Sequence, residues 1–168
     1  MTDTAPKITR AGFVQRFGGI YEHSPWVAEQ CYESSAGMSI PELAGIFASC
    51  VDNSSRDIRL ALIRAHPDLA GRAAIRGELT AESNAEQASA GIGQCSEEEY
   101  EQFVRFNDAY KTKFEFPFVM AVRNSNRQKI LTAFAERVEN DVDVEFETAM
   151  REIHIIAALR LEAMTTND

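Results

Sequence analysis

Apolar residues recur along most of the chain at intervals of three and four, the spacing of a helix face. Leu43, Ile46, Phe47 and Cys50 form one such stripe. Ahead of it, Ser39-Ile-Pro-Glu42 carries a helix start: Ser39 caps, Pro41 sits in the first turn, and Glu42 reaches back. Ser54-Ser-Arg-Asp57 opens the next helix, with Ile58, Ala61, Leu62 and Ala65 predicted on its buried face. That helix is predicted to end at His66, because Pro67 disfavours helical geometry in the residue before it. From Asp68 to Gly93 the pattern loosens around Gly71, Gly77, Gly91 and Gly93, leaving one short helix around 83–90. Ser96-Glu-Glu-Glu99 starts a long helix with Tyr100, Phe103, Val104, Tyr110 and Phe114 on its apolar face. Asn107 lies in that stripe as a buried polar group needing partners. The run FEFPFVMAVR (114–123) breaks the helix at Pro117 and reads as extended. Ser125-Asn-Arg-Gln128 is predicted to cap a helix to about Glu139, and Asp141 or Asp143 a last helix to about Met164. The fold class is therefore all-α. One domain over 1–168 is expected, with seven to nine helices, a short extended segment near 116–122 and no paired sheet.

Composition narrows the function classes. A chain of 168 residues, 45% hydrophobic, fits one domain with a core that needs no disulfide or metal staple. Its 17 basic and 26 acidic residues leave a net charge of −9, which opposes binding to nucleic acid and to anionic membranes. No stretch approaches the roughly 20 apolar residues of a membrane span. The first residues, MTDTAPKITR, have no apolar run of the secretory type, and MTTND is not a peroxisomal address. Cys31, Cys50 and Cys95 are odd in number and lack a CxxC pair, so neither a disulfide framework nor a zinc site is indicated. A cytoplasmic protein with reduced, buried thiols and no metal is expected.

Three histidines and one arginine carry the candidate chemistry. His154 shares a mostly charged face with Glu147, Arg151, Ala158 and Glu162 and is expected at the surface. His23, in YEHSPW just before a helix that Ser24 or Pro25 opens, is expected to be structural. His66 is different: a helix end and a following proline fix its direction, and the C-terminal end of a helix dipole favours the imidazolium. It suits general acid–base work, or it merely caps helix carbonyls. Arg160 occupies a core position in the stripe Phe146, Met150, Ile153, Ala157, Arg160, Met164. A buried guanidinium there implies an internal salt bridge, or a clamp for a substrate carboxylate. Ser83-Asn-Ala-Glu86-Gln87 admits two readings as well, since Ser83 and Glu86 have capping-box spacing.

Taken together, the segments FGGIYEHSPWVAE (17–29), AHPDLAGR (65–72), SNAEQASAG (83–91), FNDAYKTKFEFPFVMAVR (106–123) and EIHIIAALRLEAM (152–164) resemble the 2-oxo-4-hydroxy-4-carboxy-5-ureidoimidazoline (OHCU) decarboxylases. They occur in that family's order over most of the chain. The resemblance implies an all-helical fold and conversion of OHCU to (S)-allantoin with loss of carbon dioxide, in urate and purine breakdown, without a cofactor. It implies His66, Glu86 and Arg160 as catalytic residues. Pro67, the run Ser83, Asn84, Ala85, Glu86 and Gln87, and the stretch Phe118, Val119, Met120, Ala121 and Val122 match its substrate-contacting elements. The family also implies a homodimer, which exposed apolar positions can serve.

OHCU carries a carboxylate and a hydroxyl on one ring carbon, and the adjacent C=N can accept the electron pair that decarboxylation leaves. Such a substrate supplies its own electron sink. On this reading His66 moves the proton, Glu86 holds ureido or ring N–H groups, and Arg160 meets the carboxylate. Two alternatives remain at this stage: a lyase or hydrolase of another ureide or cyclic amide, and a non-catalytic helical binding module. Between Glu78 and Glu101 lie seven glutamates and no Lys or Arg. A substrate anion must therefore enter a pocket made locally positive, by Arg160 and a protonated His66.

Overall fold

The computed structural model describes residues 8–71 and 78–165. These form eight α-helices and two short 3₁₀ turns, and no strand occurs among the described residues. They fall into two compact units. Of the described residues, the first comprises 8–65 with 157–165, and the second 66–71 with 78–156.

The first unit contains α1 (Arg10–Phe17), α2 (Trp26–Cys31), a 3₁₀ turn at Glu33–Ser35, α3 (Ile40–Asp52) and α4 (Arg56–Arg64). Thr9 caps α1 by accepting from the Gly12 N–H, and Ser39 with Glu42 closes the expected capping box of α3. Phe13, Phe17 and Phe47 form its aromatic core, with Phe47 edge-on to the other two at 6.2 and 6.4 Å. Ser55, not Ser54, caps α4. The buried face of α4 is Leu62 with Ile63, while Ile58 and Ala61 are exposed. The face predicted for α4 is thus rotated by about one residue, because in a helix this short Leu62 can belong to either of two stripes. The helix stops at Arg64 with Ala65 as its cap, so His66 lies just outside it.

The second unit contains α5 (Ala81–Ser89), a 3₁₀ turn at Ile92–Gln94, α6 (Glu97–Phe114), α7 (Arg127–Arg137) and the first part of α8 (Val142–Thr165), whose last turns belong to the first unit. Thr80 accepts from the Ser83 N–H and is the cap of α5. Ser83 therefore stands inside the first turn, which removes the capping-box reading of Ser83 and Glu86. Asn126, not Ser125, caps α7 through the Lys129 N–H. The α6 helix ends where Glu115 takes a left-handed conformation (φ +61°), two residues before Pro117. From there 117–122 carries no regular secondary structure and pairs with no strand among the described residues. Its rings complete an aromatic core: Phe118 stacks on Phe134 at 3.7 Å and lies edge-on to Tyr110 at 5.3 Å. No described helix is long and apolar enough to cross a membrane.

Candidate active site

The loop after α4 reads His66-Pro-Asp-Leu-Ala-Gly71 and turns tightly. The Gly71 N–H donates to the Asp68 carbonyl at 3.3 Å. A side chain at Gly71 would put its Cβ 2.6 Å from the Asp68 Cβ, so only glycine fits. Ala70 adopts φ +51°, a left-handed conformation costing a non-glycine residue about 1–2 kcal/mol. Three side chains hold the loop in that shape. Gln87 of α5 accepts the Ala70 N–H at 3.1 Å, Asn107 of α6 donates to the Leu69 carbonyl at 2.8 Å, and Lys111 contacts Asp68 at 2.5 Å. Gln87 and Asn107 are buried, so these contacts are not exchanged for water and losing either leaves an orphaned buried group, at about 1–3 kcal/mol. Asn107, expected as a buried polar group in need of a partner, finds it here.

His66 is itself buried, at 8% exposure, and Pro67 is half-buried. On α5 the buried side is Ser83, Gln87 and Ala90, with Glu86 half-buried at its edge and Asn84 and Ala85 exposed. Gln87 thereby ties the helix that carries Glu86 to the loop that begins with His66. A cavity of about 530 Å³ opens along the opposite flank of α5, lined by Asn84, Gln87, Ala88, Ile92, Cys95 and Tyr100 among others. Neither His66 nor Glu86 lines it. At 100° per residue, Glu86 projects well away from the Asn84–Ala88 flank. This cavity is not the place where those two groups could act together.

In the first unit, Arg160 is buried at 5% exposure, as its position in the apolar stripe requires. Its guanidinium meets the Glu22 carboxylate at 2.8 Å and the Gly19 carbonyl at 3.3 Å. The internal salt bridge foreseen as one reading of Arg160 is therefore present, and Glu22, at 2% exposure, is its partner. Glu22 escaped the sequence reading, although a buried arginine demands a buried acceptor and YEHSPW offers only one. His23 beside it is left-handed (φ +47°), its imidazole outside and 3.9 Å from Glu22. That fits the junction role expected of it. His154 is half-buried rather than fully solvated.

The 118–122 segment is anchored from two helices. Arg137 of α7 donates to the Val119 carbonyl at 2.8 Å and lies 4.2 Å above the Phe118 ring. Glu152 of α8 accepts the Ala121 N–H at 2.8 Å, so that amide is already engaged by the protein. Phe118, Val119 and Val122 are buried in the core, and Met120 and Ala121 are half-buried. Arg137 is held in turn by Glu145, which is fully buried and also accepts from Tyr110 at 2.6 Å and Asn140 at 2.9 Å. Burial and the neighbouring Glu145 push the Tyr110 phenol well above its ordinary range, so it stays a donor. Glu145 was also missed; its signal was a carboxylate beside Phe146 in the apolar stripe of the last helix. Among the described residues no three His, Cys, Asp or Glu side chains converge to hold a metal ion.

Against known proteins, the family model described as OHCU decarboxylase matches residues 6–162. A 2-oxo-4-hydroxy-4-carboxy-5-ureidoimidazoline decarboxylase of Haloferax volcanii is 47% identical over 149 residues, covering 89% of this chain and 86% of the relative. One of Halalkalicoccus jeotgali is 42% identical, covering 91% and 85%. Among solved structures, an (S)-allantoin synthase superposes with a TM-score of 0.74 at 32% identity over 92% of this chain. This chain spans half the length of that synthase. A match of this extent at this identity, with the locked His66–Gly71 loop in place, leaves one conclusion: the chain belongs to the OHCU decarboxylase family.

Proposed function

We propose that this protein is a carboxy-lyase that converts OHCU to (S)-allantoin in urate breakdown, without a cofactor. The observation that carries the reading is the match of the family model over residues 6–162, a span within which His66, Glu86 and Arg160 all lie. The geometry supports it locally. A buried histidine stands at the head of a loop whose backbone is fixed by Gly71, Gln87 and Asn107, and a loop so constrained holds a proton-transfer group at one angle.

The roles follow from the substrate's chemistry. His66 takes a proton from the hydroxyl or a nearby ring position as the carbon that loses carbon dioxide becomes a carbonyl, and it delivers one to the neighbouring ring carbon that bears the ureido group, the stereocentre of allantoin. Glu86 accepts from ureido or ring N–H groups and sets the register of the ring. Arg160 meets the carboxylate or the oxygen charge that develops beside it. That contact accelerates the reaction only if it strengthens as charge moves, since ground-state binding alone does not lower the barrier. Pro67 fixes the histidine's backbone. Ser83 to Gln87 and Phe118 to Val122 contact the substrate, with Met120 and Ala121 the least buried of the second group. A cytoplasmic location and a homodimer belong to the same proposal, and sizing chromatography tests the latter.

The decisive experiment adds purified protein to freshly generated OHCU and follows circular dichroism, because the uncatalysed decay gives racemic allantoin. A faster appearance of optically active product is expected. His66→Asn should lower turnover by at least about 100-fold, the usual share of one acid–base group, with an unchanged far-ultraviolet spectrum. Unchanged handed turnover in that variant sinks the assignment of His66. No handed product from the parent protein favours the non-catalytic module, and turnover of a different ureide favours the other lyase reading.

A further inference from the structure

Two of the three cysteines meet in space although they lie far apart in sequence. Cys31 is the last residue of α2, and Cys50 sits near the end of α3, which packs on α2. The contacts are reciprocal. The Cys31 thiol approaches the Ile46 carbonyl at 4.0 Å, one helical turn before Cys50. The Cys50 thiol donates to the Gln30 side chain at 3.3 Å, next to Cys31. Each thiol thus reaches a group next to the other cysteine or one turn from it, across the contact between α2 and α3. Their environments differ, with Cys31 buried at 3% exposure and Cys50 half-buried. Cys95 belongs to the second unit.

We propose that Cys31 and Cys50 are a dithiol modification site that a peroxide-class oxidant closes to a reversible disulfide joining α2 to α3. The steps balance. The accessible Cys50 sulfur attacks hydrogen peroxide, the O–O bond breaks, and sulfenic acid and water form. The Cys31 sulfur then attacks the sulfenic sulfur, and its proton leaves with the hydroxide as a second water. Two S–H bonds are lost, one S–S bond is gained, and the peroxide takes up two electrons.

Burial and the neighbouring Cys50 thiol push the Cys31 thiol up to about 12, so Cys31 is the poorer primary target and the natural resolving partner. To link, the two sulfurs must close to about 2.05 Å, through side-chain rotation and a small slide of a helix. The six-residue α2 has no side-chain cap at its start to resist such a slide. Both sulfurs also help to push up the Tyr21 phenol, and Tyr21 adjoins Glu22, the partner of Arg160. Oxidation would therefore register beside that ion pair. This inference does not depend on the proposed reaction, because its readout is covalent.

The test uses the full chain with Cys95→Ser, so that only the pair remains. After hydrogen peroxide, the denatured protein should have lost the mass of two hydrogens and take up no alkylating agent. Dithiothreitol should restore two alkylatable thiols. Cleavage after Glu33 and Glu42, which separates the cysteines, should give a linked peptide pair. In Cys50→Ala on the same background, Cys31 should remain alkylatable. The proposal is overturned if oxygen accumulates on Cys50 without a link, or if both thiols survive peroxide that oxidises free glutathione in the same tube. It is equally overturned if Cys31 in Cys50→Ala reacts as fast as the pair.

Discussion

Glu22 and Arg160 show how much one buried pair can decide. Both are almost wholly removed from water and meet at 2.8 Å. Removing one partner strands the other charge, so Glu22→Ala should destabilise the protein by about 3–5 kcal/mol in denaturant titration. The double variant Glu22→Ala with Arg160→Met should be much less destabilised than the sum of the two single changes, since neither charge is then stranded. Equal, additive losses would show that the pair is uncoupled. Arg160→Lys asks a different question: it keeps the charge and loses the planar fork. Retention of full turnover there would argue against a two-point contact with the substrate carboxylate. At this scale the sequence was informative about one side of each pair. A polar residue at a core position is visible from periodicity, as with Arg160 and Asn107, because the helix repeat says where water is absent. Its partner is not, because Glu22 and Leu69 are brought to it by tertiary packing that no local pattern records.

Elements were legible where a cap and a long stripe agree. The α3 and α6 helices begin at Ser39 and Ser96 as expected, because a capping box is a contact within four residues of chain. Short helices gave less: α5 begins two residues earlier than read, and α4 shows a different face. The α6 cap is also sensitive to acid. A hydrogen bond from the Ser96 backbone and the ion pair with Arg127, 3.0 Å away, hold the Glu99 carboxyl below its ordinary 4.5. A depressed carboxylate contributes stability that is complete above 4.5 and is lost as pH falls through its folded-state value. Glu99→Gln should therefore lower the melting temperature at neutral pH, and the difference should shrink on acidification well below 4.5. A difference that persists there would assign the effect to packing. The cross-element bridge from Arg137 to Val119 is a second device invisible to local pattern. Arg137→Met leaves the fully buried Glu145 without its cation and should cost about 3–5 kcal/mol, with Glu145→Gln in the same chain restoring much of it. If 118–122 contacts substrate, the doubly substituted protein should show a raised KM with a smaller change in kcat.

For the whole molecule the net charge of −9 sets a field that any anionic substrate must cross. The sequence reading placed a counterweight in Arg160, but its guanidinium is already matched by Glu22, so that pair adds little positive potential at a distance. The same holds elsewhere: Arg137 is matched by Glu145 and Arg127 by Glu99, while Glu97 and Glu98 stand exposed at the head of α6. These three arginines are thus engaged in holding shape, and their attraction for a carboxylate is short-ranged, through directed N–H groups at contact. Short-range recognition inside a repulsive shell has a recognisable salt dependence. The repulsion acts over the Debye length, about 30 Å at 10 mM salt and about 8 Å at 150 mM, whereas hydrogen bonds at contact are screened far less. Over that range kcat/KM for OHCU should rise by about two- to threefold, through KM, with kcat unchanged. A fall in kcat/KM with added salt would instead reveal long-range attraction, and hence a positive approach path that the ion pairs described here do not supply.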